Sequence, residues 1–196
     1  MNDQNRPPID TPVRVRRATP DDADAITAVL GVVVAERVFS AIEQPWPVAE
    51  QRRYLETLSD REAFHVAEAE LPADASGADA RSAKVAGSHR ERAIVGYQSV
   101  DRYSSFLHAM AHVAGLGTFI LPQWRGRGIG QALFRATRQF AVDAGYRKFV
   151  IYVRGTNTTA QAFYQRLGFV PCGRLTRQTV IDGREDDEVL MEYFLQ

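Results

Sequence analysis

The segment Leu121-Pro122-Gln123-Trp124-Arg125-Gly126-Arg127-Gly128-Ile129-Gly130 carries the densest chemistry in this 196-residue chain, and that chemistry is anion binding. It lies between a predicted strand and the start of a long predicted helix. Glycines at alternate positions let a ligand approach the main chain, and a helix N-terminus leaves several N–H groups without acceptors. Those donors, with the positive end of the helix dipole, suit phosphate or pyrophosphate. Arg125 and Arg127 add full charge and can chelate phosphate oxygens. The plain alternative is a tight strand-to-helix turn that needs glycine for its geometry alone. Two nucleotide motifs fail here. A P-loop needs Lys and then Ser or Thr after its last glycine, where this chain has Gln131 and Ala132. A dinucleotide fingerprint needs G-x-G-x-x-G, and Gly126, Gly128 and Gly130 are spaced G-x-G-x-G.

The pattern Arg125-x-x-Gly128-x-Gly130, after a strand running to Pro122, resembles the acyl-CoA signature of the GCN5-related N-acetyltransferase (GNAT) family. The resemblance continues in Asn157, Ala160, Phe163-Tyr164, Leu167 and Gly168-Phe169, which match the family's N-x-x-A-x-x-F-Y-x-x-x-G-F segment. The opening Val15-Arg16-Arg17-Ala18-Thr19-Pro20-Asp21-Asp22 also looks like a family start. The specific part runs from about Thr118 to Phe169.

What the resemblance implies is an acetyl-CoA-dependent N-acetyltransferase acting on a primary amine by direct attack in a ternary complex. Backbone amides of Gly126, Arg127, Gly128, Ile129 and Gly130 would bind the pyrophosphate, and the pantetheine arm would run beside Phe119, Ile120 and Leu121. Gln131, Asn157, Ala160, Phe163 and Tyr164 complete the implied cofactor contacts. Tyr164 is the implied catalytic acid. A phenol of pKa about 10 can protonate a leaving thiolate of pKa about 8.5. On residue type alone, a tyrosine one position round from an apolar phenylalanine packs and does nothing more. Asn157 is read first as a helix cap. The general base stays open: Ala114 to Leu121 contains no carboxylate, which leaves Glu36, Glu43, Asp101, His112 or water. Phe39, Ile42, Glu43, Trp46, Tyr103 and Phe106 are the residues expected around the acceptor, an aromatic wall with acids that suits an ammonium group. A non-catalytic acyl-CoA binding module is the competing reading.

These residues need a scaffold. Alternating Val13 and Val15 predict a first strand, and Thr19-Pro20 with acids behind it predicts a helix start and a helix to about Ser40. A second helix follows Pro47 to about Leu58. Strands are expected from Phe64, over Ala93 to Val100 and over Val113 to Leu121, with a loose loop over residues 71–92, where large apolar residues are scarce. Ile129, Leu133, Ala136 and Phe140 recur at helical spacing up to Gly145. Lys148 to Val153 reads as a strand covered on both faces, then a short helix ends at Gly168. Two last strands, Phe169 to Ile181 and Glu188 to Leu195, meet at a turn on Asp182-Gly183. The expected fold is α/β: a mixed, mostly antiparallel sheet of about seven strands, helices on both faces, and a V-shaped opening between two parallel strands. Residues 13–196 form that one domain behind a flexible tail over residues 1–12.

Composition narrows the rest. Hydrophobic residues make up 45% and charged residues 24%, as in a globular domain. The 24 basic and 24 acidic residues cancel, unlike a nucleic-acid binder. One cysteine and four scattered histidines give no metal-ligand spacing, and Cys172 lacks an adjacent His for covalent catalysis. No apolar run approaches the roughly 20 residues that span a bilayer. A cytoplasmic protein is expected, with no membrane partner. Dimerisation through the last strands is compatible with such a domain. Charge is uneven along the chain: Leu121 to Ile181 holds basic residues against Asp143 alone, so an anion belongs in the back half.

Overall fold

The computed structural model describes residues 13–70 and 92–195. The expected tail over 1–12 and all but the last residue of the expected loop over 71–92 lie outside the described residues. One sheet is built from β1 (Val13–Arg17), β2 (Ala63–Glu70), β3 (Arg92–Arg102), β4 (Val113–Ile120), β5 (Lys148–Arg154), β6 (Val170–Ile181) and β7 (Arg184–Phe194). Their order is β1-β2-β3-β4-β5-β7-β6. Every neighbouring pair is antiparallel except β4 with β5. Helices α1 (Ala23–Ala35) and α2 (Val48–Thr57) cover one face, and α3 (Ile129–Asp143) and α4 (Thr158–Leu167) the other. The mixed sheet of seven strands with helices on both faces is as the sequence implied.

Side chains show how the layers are held. On the first face, Tyr54 of α2 meets Phe64 edge-on, Phe64 stacks on Tyr97, and Tyr97 stacks on Phe119. On the second, α3 buries Ile129, Leu133, Phe134, Thr137 and Ala141, a stripe at helical spacing. Thr137 meets His65 Nδ1 at 3.0 Å. Burial and the nearby Arg17 push the His65 imidazole down to about 4, so it stays neutral in the core.

The sheet opens at its centre. β4 and β5 pair only at Val113↔Lys148, Ala114↔Phe149 and Gly115↔Val150. Past that row, β4 pairs only with β3 and β5 only with β7. Two strands that part in mid-sheet leave facing N–H and C=O groups without partners, which a buried ladder does not tolerate unless something else supplies them.

Several boundaries differ from the sequence reading; β3 runs on to Arg102, past Val100, and so takes in Asp101. α1 stops at Ala35, short of Ser40, because Arg37 takes a left-handed conformation (φ 59) that a helix cannot continue. Arg92, read as loop, begins β3 and pairs with Glu70. β7 begins at Arg184, ahead of Glu188, so the acidic run after the turn is strand. Within it Asp186 is buried beneath Arg154, with Nε to Oδ2 at 2.8 Å, and also accepts from Thr156 Oγ1 at 2.6 Å. These donors hold the Asp186 carboxyl below the usual carboxylate range although burial opposes them. Arg154 Nη1 also donates to the Arg37 carbonyl at 2.6 Å, and Arg37 pairs with Asp182 at 2.9 Å. The chain leaving α1 is thereby fastened to β5 and to the β6–β7 turn.

β6 is the outer strand at one edge of the sheet, as β1 is at the other. Its register against β7 breaks between Pro171 and Gly173 and again between Leu175 and Thr179, and Arg177 there has φ 53.

Candidate active site

The main chain between Trp124 and α3 forms a cradle of donors. Gly126 and Gly128 both adopt positive φ, 74° and 79°. Gly128 caps α3 from that conformation, and its carbonyl takes the Ala132 amide at 3.0 Å. No backbone acceptor among the described residues takes the N–H groups of residues 126–131. A Cβ added at Gly126 or Gly128 would meet nothing within 4 Å, so open space lies over the cradle. Gly130 is glycine for another reason: a Cβ there would sit 2.8 Å from Phe163, which ties the start of α3 to α4.

The two arginines differ in role. Arg125 grips Glu36 with both arms of its guanidinium, at 2.9 and 2.5 Å, and gives Nε to the Ile120 carbonyl at 2.9 Å. Its guanidinium also lies 4.3 Å over the Phe39 ring. These contacts make it a fastener between the end of α1 and the end of β4. Arg127 instead lies 5.4 Å over the Trp124 ring, with Nε and Nη1 buried and without a hydrogen-bond partner among the described residues. Buried guanidinium donors are costly to leave unpaired, so this side chain fits an acceptor supplied from outside.

On the α3/α4 face, Tyr164 reaches across to β4. Its hydroxyl donates to Thr118 Oγ1 at 2.8 Å, and Gln98 Nε2 donates to the same oxygen at 2.7 Å. Thr118 lies beyond the last β4–β5 pair, so the phenol ends in the gap. Tyr164 is buried, and burial raises its hydroxyl above the ordinary phenol value while the Thr118 bond opposes that shift. Gln98 and Thr118 escaped the sequence reading. Thr118 is the one polar side chain of β4, a weak signal, and Gln98 stands in β3 among Ser99 and Asp101 with nothing to set it apart. Thr118→Val removes the shared acceptor of two buried donors. Its expected cost is about 1–3 kcal/mol of stability, read by denaturant unfolding, with a fall in turnover.

Asn157 caps α4: Oδ1 accepts from the Ala160 amide at 3.0 Å, and the residue is buried between β5 and the helix. Phe163 meets Tyr164 edge-on, with ring centroids 5.1 Å apart. Phe119, Ile120 and Leu121 follow β4 from the gap toward the cradle, with Phe119 stacked on Tyr97 and the Leu121 amide held by the Val95 carbonyl. Gln131 is exposed in the first turn of α3.

On the α1/α2 face a cavity of about 800 Å³ opens at the point where β4 and β5 part. Gly115, Val150, Tyr152, Tyr103, Phe106 and Glu62 are among its lining residues. The Tyr103 and Tyr152 hydroxyls meet at 2.8 Å across it. Of the expected acceptor wall, Tyr103 and Phe106 line this cavity. Phe39, Ile42, Glu43 and Trp46 do not: Phe39 lies under Arg125 and Trp46 against Tyr54. Among the described residues, no cluster of three or more His, Cys, Asp or Glu is placed to hold a metal ion, and no helix is long and apolar enough to cross a membrane.

Comparisons with known proteins agree with this geometry. Residues 79–171 match the model of the acetyltransferase (GNAT) domain. A mycothiol acetyltransferase of Corynebacterium efficiens is 33% identical over 81 residues, which is 41% of this chain and 26% of that protein. The chain thus spans about a quarter of the length of the corynebacterial relatives it matches. An N-acetyltransferase from Staphylococcus aureus Mu50 superposes with TM-score 0.76 at 18% identity, over 94% of this chain and 99% of that one. A GNAT superfamily phosphinothricin acetyltransferase from Sinorhizobium meliloti, solved in complex with acetyl-CoA, gives 0.75 at 22%, over 93% and 88%. At these identities the two structures share the fold.

Proposed function

We propose that this chain, which carries a GNAT acetyltransferase domain, moves an acetyl group from acetyl-CoA to a primary amine of a small molecule or a protein. The observation that carries the reading is the parting of β4 and β5 after Gly115 and Val150, with the Tyr164 phenol ending in the gap and the donor cradle at its mouth. Acetyl-CoA supplies the activated acetyl thioester. The cradle of residues 126–131 and the unpartnered arms of Arg127 hold its diphosphate. Unpaired main-chain groups along β4 take the amides of its arm, as an added strand would.

In the transfer, the amine nitrogen bonds to the thioester carbon, the carbon–sulfur bond breaks, and Tyr164 gives its proton to the departing sulfur, while the nitrogen sheds its surplus proton to solvent and the phenol regains one from solvent. When the phenol turns that proton toward sulfur, the Thr118 hydroxyl can reverse and donate to the phenol oxygen, with Gln98 Nε2 still donating to Thr118. Charge left on the phenol then meets a donor already in place.

The test is release of free thiol from acetyl-CoA across a panel of amines, aminoglycosides and peptides, beside thermal shifts with acetyl-CoA. A ligand at 100 times its Kd stabilises the folded state by about 2.7 kcal/mol, roughly 5–11 °C for a chain of this size. Gly128→Val puts a side chain in the cradle and strains a left-handed position, costing about 1–2 kcal/mol. It is expected to abolish the acetyl-CoA shift. A binding module without catalysis would show the shift and release no thiol.

A further inference from the structure

An amine acceptor arrives at neutral pH as its ammonium form, with a pKa of about 10.4 for a lysine-like group. It must lose a proton before its lone pair can attack. Four side chains were open candidates for that step, and the structure separates them. Both carboxylate oxygens of Glu36 are taken by Arg125. Glu43 is exposed on the loop between α1 and α2, outside the sheet row where β4 and β5 part. His112 precedes β4, three residues outward from the Gly115 row, about 10 Å along a strand.

Asp101 is placed differently. It lies in β3 on the α1/α2 face and pairs in register with Gly115, which pairs with Val150. This row of three residues is the last before the strands part. Paired residues project to the same face, and at Gly115 there is no side chain to cover its neighbour. A Cβ there would meet only the Val150 carbonyl, at 3.9 Å, so space stands open above it. Gly115, Val150, Arg102 and Tyr103 line the cavity, and Asp101 stands just behind this lining, beside Arg102 in the chain and across from Gly115 in the sheet. The Asp101 carboxylate is held by the Tyr54 hydroxyl from α2 at 2.5 Å.

We propose that Asp101 is the general base of the acetyl transfer, taking the proton of an ammonium seated over Gly115 and thereby freeing the nitrogen lone pair. This rests on the acetyltransferase reading above. The proton leaves nitrogen on the α1/α2 face, and another reaches sulfur from Tyr164 on the opposite face, so the two transfers do not compete for one site. The surroundings suit the role. Burial and the neighbouring Glu62 raise the Asp101 carboxyl above the usual range, while bonds from Tyr54 and Ser99 oppose the rise. Glu62 itself accepts from Ser59 Oγ at 2.6 Å. The remaining titratable groups around Asp101 are the Tyr97 and Tyr146 phenols, both raised by burial, and the Arg61 and Arg102 guanidiniums beside Tyr146.

The experiment compares two acceptors with the full chain: phenethylamine, protonated at pH 7, and hydroxylamine, unprotonated there. Asp101→Asn should lose about 10²-fold or more in kcat/KM with phenethylamine and keep most of its turnover with hydroxylamine. The acetyl-CoA thermal shift should stay as in the parent. Tyr54→Phe removes a donor that favours the charged carboxylate, so its acid limb of kcat/KM should move to higher pH. That variant carries the test if Asp101→Asn does not fold. If both acceptors suffer equally in Asp101→Asn, or neither does, or the limb stays put in Tyr54→Phe, Asp101 is not the base. Thiol release is read above the enzyme-free rate, and if the parent adds nothing to that rate with these two acceptors or with any of the wider panel, the acetyl-transfer reading falls, and this assignment with it.

Discussion

Tyr164→Phe is expected to lower kcat for amine acetylation by about 10²–10⁴-fold, the range for losing a positioned proton donor, and to leave acetyl-CoA affinity unchanged. The ring remains, so its edge-on contacts with Phe163 and Phe169 survive. Only the hydroxyl that donates to Thr118 is removed. Steady-state rates beside thermal shifts with acetyl-CoA separate the two effects. Equal loss of rate and affinity would mean that the tyrosine merely shapes the pocket. A loss of rate alone identifies a group acting in the transition state.

The second large effect is on stability. Asp186→Ala is expected to cost about 3–5 kcal/mol, because it leaves the buried Arg154 charge without its carboxylate. At this chain length that is roughly 6–20 °C in Tm. The effect has a pH signature. Asp186 has its folded pKa depressed, so its contribution is complete above the ordinary carboxylate range and is lost as pH falls through the folded value. The gap in Tm between parent and variant should therefore be wide at pH 7 and narrow in strong acid. A constant gap across that range would mean that packing at Asp186, rather than its charge, is what the variant removes.

Legibility in the sequence follows the range of the interaction. The cradle could be read because its glycines and its helix start are neighbours in the chain, and the Asn157 cap because a cap acts three residues away. The mixed seven-stranded sheet and the opening between its two parallel strands are what the family resemblance implied, while the strand order was not read from the sequence. Pairings between distant segments left no local trace. Arg125 looked like a phosphate ligand, yet its partner Glu36 lies 89 residues earlier. The run from Asp182 to Asp187 looked like a solvated turn, because nothing beside it announces Arg154, 32 residues before Asp186. Asp101 carried no signal by spacing at all. Its place depends on which glycine of β4 stands opposite, and that is a matter of register, which a strand's own sequence does not state.

The two register breaks in β6 bear on how the molecule behaves in a crowd. An outermost strand offers a free row of amides and carbonyls on which another chain could extend the sheet. Here Pro171 contributes no amide, and the irregular stretches around Cys172 and Arg177 leave only Gly173–Leu175 and Thr179–Ile181 regular on either side of the second break. A foreign strand would find three residues in step and then lose its alignment. That is too little for a growing fibril to copy, so this edge of the sheet ends its own growth.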